Sequence, residues 1–114
     1  MTATPDDDRV FLLYGTIREE ESRKPLPNLL VRAFDRDFVL DDSLGETTTD
    51  GNGSFRLQFT RRAFRDVREE WPDVYLRVFD RHSGRQIYHT RDLVRWNVRV
   101  DQHYDITICR SELR

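Results

Sequence analysis

The sequence predicts an all-β protein: an antiparallel sandwich of seven short strands, with one short helix near residues 61–70. Residues 54–59 alternate strictly, with Phe55, Leu57 and Phe59 apolar and Ser54, Arg56 and Gln58 polar. That pattern gives a strand one dry face and one wet face. Asp50-Gly51-Asn52-Gly53 precedes it with two stacked Asp/Asn-Gly pairs, a strong hairpin signal that asks for positive φ at glycine and asparagine. Further short apolar stretches, each bounded by turn residues, favour a sandwich over any helical class.

Residues 1–9 are polar and acidic and are expected to form a flexible lead-in to a sandwich over residues 10–109, with 110–114 as a tail. The first strand covers residues 10–17. Pro25 and Pro27 cannot donate to a ladder, so the second strand starts after them and runs over 29–35. Residues 36–43 form an acidic loop. Strands three and four are the two arms of the expected hairpin over 44–60. Phe64, Val67 and Trp71 recur at three- and four-residue steps, the spacing of a short amphipathic helix stopped by Pro72. The fifth strand runs over 73–80 and the sixth over 86–90. Residues 93–100 are irregular, and the seventh strand covers 104–109. Cys109 continues the alternation there, as a small buried hydrophobe.

A chain of 114 residues fits one domain. Its 35% charged residues against 37% hydrophobic imply a lean core under a densely charged surface. The net charge of −2 comes from 19 basic and 21 acidic residues, interleaved without a basic stripe, which argues against a nucleic-acid partner. Lys24 is the single lysine, and every other basic residue is arginine. One cysteine excludes an internal disulfide. No apolar run approaches the ~18 residues of a membrane span, and the start lacks a secretory pattern. A cytoplasmic protein, or a module of a larger one, is expected.

An internal echo sets residues 31–36, Val-Arg-Ala-Phe-Asp-Arg, against residues 76–81, Leu-Arg-Val-Phe-Asp-Arg. The second and fifth strands should therefore share surroundings and be neighbours. With Val31, Ala33, Val74, Leu76 and Val78 facing the core, Leu30, Arg32, Phe34, Tyr75, Arg77 and Phe79 face outward. Aromatic and arginine side chains on an outer sheet face mark a protein partner or self-association, unless the short helix covers them.

Asp35, Asp37, Asp41 and Asp42 form the second candidate site. Clustered carboxylates on a loop supply the hard oxygens that calcium takes. The run is similar to the first calcium loop of the phospholipid-binding domains of protein kinase C and synaptotagmins. Asp80 is the tempting extra ligand, but strand reversal should place Asp35 and Asp80 at opposite ends. His82, His89 and His103 lack ligand spacing, and Ser83 and Ser111 lie in no nucleophile motif.

The ordered set of Gly15-Thr16-Ile17, residues 25–28, residues 31–35, residues 49–55 and residues 76–80 resembles the transthyretin-like (prealbumin-like) superfamily. It is most similar to carboxypeptidase regulatory-like domains and to the transthyretin-like modules of insecticidal toxin-complex proteins. The resemblance implies a Greek-key sandwich acting as an accessory module: non-enzymatic, structural or protein-binding, without a cofactor. A calcium-dependent binding module through the loop 35–42 is the alternative. A hydrolase of the hydroxyisourate type is the third reading. That branch ends in Tyr-Arg-Gly-Ser, whereas this chain ends Arg110-Ser111-Glu112-Leu113-Arg114.

Overall fold

Alternating side chains give each strand a dry face, and two sheets pack with those faces inward. The computed structural model describes residues 9–37, 40–64 and 71–114. Its strands are β1 (Val10–Glu19), β2 (Leu29–Asp35), β3 (Asp42–Thr48), β4 (Ser54–Thr60), β5 (Val74–Asp80), β6 (Gln86–His89) and β7 (Gln102–Ile108). One sheet has the order β4-β1-β7 and the other β3-β2-β5-β6. Phe11, Leu13, Ile17, Phe55, Leu57, Ile106 and Ile108 from the first sheet meet Val31, Ala33, Val74, Leu76 and Val78 from the second in one core.

The all-β sandwich and its seven strands agree with the sequence; two connections do not. β3 and β4 are not hairpin partners: β3 pairs with β2 and β4 with β1, in different sheets. The turn between them is an arch from one sheet to the other. Asp50 Oδ1 accepts from the Asn52 and Ser54 amides, both at 2.9 Å, and Gly53 takes φ +71°. Thr49 fixes the approach to it. Its Oγ1 accepts from the Leu29 amide at 3.0 Å and donates to the Leu26 carbonyl at 2.6 Å. These bonds hold the arch to the segment ahead of β2, so the chain reverses without its arms pairing. The second correction is that β1 and β7 run parallel, while the other strand pairings are antiparallel. A parallel pair needs a long crossover, and here most of the chain separates the two strands.

β2 and β5 are antiparallel neighbours, with Leu30 opposite Phe79, Arg32 opposite Arg77 and Phe34 opposite Tyr75. The echo extends to their flanks. β3 slips register beside Ala33/Phe34, and β6 slips register beside Val78/Phe79. Leu44 and Ile87 fall at these bulges and are buried in the core. Both edge strands are thereby irregular, which blunts the open edges of the sheet.

Of the stretch 61–70 expected as a helix, the described part forms a 3₁₀ turn, Arg61–Phe64; residues 65–70, with Val67, lie outside the described residues. Trp71 packs edge-on against Phe11 at 6.5 Å, at the rim of the core rather than on the outer sheet face. Cys109 follows β7 half-buried, with its Sγ 3.2 Å from Glu21 Oε2, so it is not the core hydrophobe that alternation suggested. The tail forms a 3₁₀ turn, Arg110–Leu113, whose Leu113 packs on the core. The Arg85 guanidinium donates to the carbonyls of Glu112 at 3.2 Å and Arg114 at 2.7 Å.

Candidate functional site

The outward face of the β2–β5 pair carries the six side chains that alternation places there. Arg32 and Arg77 are directly opposite each other, and like charges at that spacing repel. Each guanidinium instead lies over a ring across the ladder: Arg32 over Phe79 at 5.0 Å, Arg77 over Phe34 at 5.0 Å. The two contacts are related by the near-twofold symmetry of the echo. Stacking on a ring suits the planar, weakly hydrated guanidinium better than an ammonium.

The two ends of this face then diverge. At the Phe34 end, Tyr75 stacks on Phe34 at 5.5 Å, and its hydroxyl donates to Asp41 Oδ2. Arg77 donates to the same hydroxyl at 3.3 Å. Tyr75 is 0% exposed, so it is not the accessible partner residue that its outward direction suggested. Asp41, immediately before β3, caps its hydroxyl. Burial alone would raise the Asp41 carboxyl. The Asp37 amide, the Tyr75 hydroxyl and the charges of Arg91 and Arg77 outweigh it, and hold the carboxyl below its ordinary range. Burial, then the bond to Asp41, pushes the Tyr75 hydroxyl up.

A carboxyl depressed in the folded state contributes stability above its ordinary pKa and loses it as pH falls through the depressed value. Tyr75→Phe should therefore cost about 1.5–3 kcal/mol at neutral pH, the size of a hydrogen bond to a charged group. The gap from wild type should close as the solution is acidified through the Asp41 transition. Urea unfolding of both proteins across a pH series checks this; a constant gap would separate the Tyr75 hydroxyl from the Asp41 charge.

At the other end the face stays open. A half-open groove of about 400 Å³ has Leu30 and Phe79 among its lining, with Arg32, Glu46, Asp80 and Arg81 as its charged members. Arg32 Nε lies 3.3 Å from Glu46 Oε1, an exposed pair that orients the guanidinium more than it stabilises the fold. Asp80 Oδ1 accepts from the His82 amide at 2.8 Å, which holds the turn after β5. Sequence reasoning found Leu30, Arg32 and Phe79 but missed Glu46 and Arg81 as their neighbours. The echo pointed to the β2–β5 pairing, but no echo or pairing signal fixed the register of β3, which sets Glu46 opposite Arg32.

Asp35, Asp41 and Asp42 of the acidic stretch are turned to different partners. Asp35 faces inward, buried, and its Oδ1 accepts from the Asp73 amide at 2.9 Å. Asp41 is turned to Tyr75 and to the Asp37 amide. Asp42 is in β3, paired with Asp35 in the ladder. Asp80 pairs with Leu29 at the far end of β2, roughly 20 Å of strand from Asp35. Among the described residues, the group of three metal-capable side chains that converges is Glu20, Glu21 and Cys109, away from this loop. Glu21 there already accepts from the Arg110 amide at 2.9 Å. The histidines are scattered: the His82 amide is tied to Asp80, His89 Nδ1 accepts from the Arg91 amide, and His103 packs on Tyr14.

No family model matches the sequence, and no curated protein matches it. Solved structures do match in fold. A 9R-lipoxygenase from Cyanothece superposes with a TM-score of 0.64 at 22% identity, over 96% of this chain and 18% of that one. A "putative carbohydrate binding protein" from Bacteroides uniformis gives 0.52 at 14% identity, over 92% of this chain and 42% of that one. A DUF3823 family protein from the same organism gives 0.54 at 8% identity, over 88% and 43%. The chain thus spans less than half the length of each. These likenesses define the class, a two-sheet β-sandwich domain. Among the described residues no helix is long and apolar enough to cross a membrane.

Proposed function

We propose that this chain is a non-enzymatic binding module, a transthyretin-like Greek-key sandwich that takes its partner on the open half of its β3-β2-β5-β6 face. The observation that carries the reading is the groove beside the Arg32–Phe79 stack, where an oriented guanidinium and an aromatic ring border accessible space. Arginine and aromatic side chains are enriched at the centres of binding surfaces. The separate placements of His82, His89 and His103 support a role without catalysis. The Bacteroides uniformis neighbour described as a "putative carbohydrate binding protein" supports a binding role for a sandwich of this kind. The calcium reading draws no support from the placement of Asp35, Asp37, Asp41 and Asp42.

Arrays of glycans, peptides and proteins test the proposal. At least one class of target should retain the wild-type chain. Arg32→Ala with Phe79→Ala should lose that signal at an unchanged fold, while Gln58→Ala on the opposite sheet keeps it. Retention by the groove variant would overturn the site. Turnover of hydroxyisourate would overturn the non-enzymatic reading.

A further inference from the structure

The geometry points to a neutral saccharide as the ligand of the groove, an inference that rests on the sheet-face reading above and names its ligand class. The charged members of the groove are two guanidiniums, Arg32 and Arg81, and two carboxylates, Glu46 and Asp80. Their charges balance. A phosphate or nucleic-acid strand would meet both carboxylates, and a cationic peptide would meet both guanidiniums, so neither finds a complementary field. A neutral ligand rich in hydroxyls meets both kinds of group to advantage. A carboxylate accepts two O–H bonds side by side, and a guanidinium donates two N–H bonds in a fixed fork. Adjacent hydroxyls on a sugar ring present donors and acceptors at that spacing. Leu30 and Phe79 supply the apolar surface that the C–H face of such a ring covers.

Size and order agree. A volume of about 400 Å³ lies within the usual range of small-molecule sites. Arg32 is held before any ligand arrives, by Glu46 at 3.3 Å and by the Phe79 ring at 5.0 Å. Holding a long side chain in place lowers the ordering cost of binding.

Calorimetry with soluble xylan, mixed-linkage β-glucan and mannan, beside polygalacturonate as a charged counterpart, tests the inference. At least one neutral polymer should bind, with an affinity that changes less than about twofold when salt is raised tenfold, since no net charge is neutralised. Phe79→Ala and Arg81→Ala should each weaken it about tenfold or more; Gln58→Ala should leave it unchanged. Arg81 is exposed, so its variant keeps the test valid if Phe79→Ala fails to fold. Absence of binding to every neutral polymer, or binding only to polygalacturonate with steep salt dependence, overturns the ligand class. In that case a protein or peptide target on the arrays, lost in the same groove variants, would leave the sheet-face reading standing. Saccharide binding that survives both groove variants overturns the site itself.

Discussion

Gly15→Ala should lower the melting temperature by roughly 15–30 °C, equivalent to about 4 kcal/mol in a domain of this size. Gly15 lies inside β1, opposite Tyr104 of β7 and Phe55 of β4. A Cβ built there would stand 1.8 Å from the Tyr104 carbonyl oxygen and 2.7 Å from its carbon. The obstacle is backbone, so no rotamer change relieves it. β7 is an edge strand that pairs only with β1, and it must move away as a unit. Its displacement loosens Tyr104, Ile106 and Ile108, all of them core residues. Gly51→Ala is the control: a Cβ at Gly51 meets nothing within 4 Å. Thermal melts of the two variants decide the matter, and equal melting temperatures would mean that β7 does not approach β1 this closely.

The second large effect is expected at Thr49. Valine has nearly the same shape, so Thr49→Val isolates the hydroxyl. Thr49 is 2% exposed, and its Oγ1 serves both the Leu29 amide and the Leu26 carbonyl. The variant leaves a donor and an acceptor unsatisfied in a site that water cannot readily reach. At about 1–3 kcal/mol for each of the two groups, a loss of about 2–6 kcal/mol is expected in urea unfolding. Thr49→Ser keeps the hydroxyl and should recover most of it. A Thr49→Val protein as stable as wild type would show that the arch is held by its turn alone.

The sequence carries the strands and their faces because alternation is local and every strand is half-buried. It also carries the β2–β5 pairing, because the echo repeats Arg, Phe and Asp in two stretches that then meet antiparallel. Other features depend on contacts distant in the chain. Asp50-Gly51-Asn52-Gly53 reverses direction in a hairpin and in an arch alike; Thr49 bonding to Leu26 and Leu29 decides between them. The parallel β1–β7 pair has no local signal beyond Gly15, whose absent side chain fits a close backbone approach. Of the six outward residues, half line the groove, but Tyr75 is closed off by Asp41, a residue from a loop whose path no periodicity constrains. Arg9, Arg32, Arg36, Arg77, Arg95 and Arg99 each lie over an aromatic ring, a contact that uses the flat guanidinium.

The parallel pairing of β1 with β7 sets a kinetic order for acquiring the structure. Leu12 and Asp101, which hydrogen-bond beside this pair, are 89 residues apart in sequence. Closing so large a loop costs entropy before any contact repays it, so β7 is expected to dock late, with burst-phase hydrogen exchange at its amides as the check. The β2–β3 and β5–β6 hairpins span short separations and can form early. Until β7 arrives, β1 exposes a row of unpaired backbone groups beside Leu13 and Ile17, two of the most deeply buried side chains. During folding, that strand edge is the place where a second unfinished chain can join.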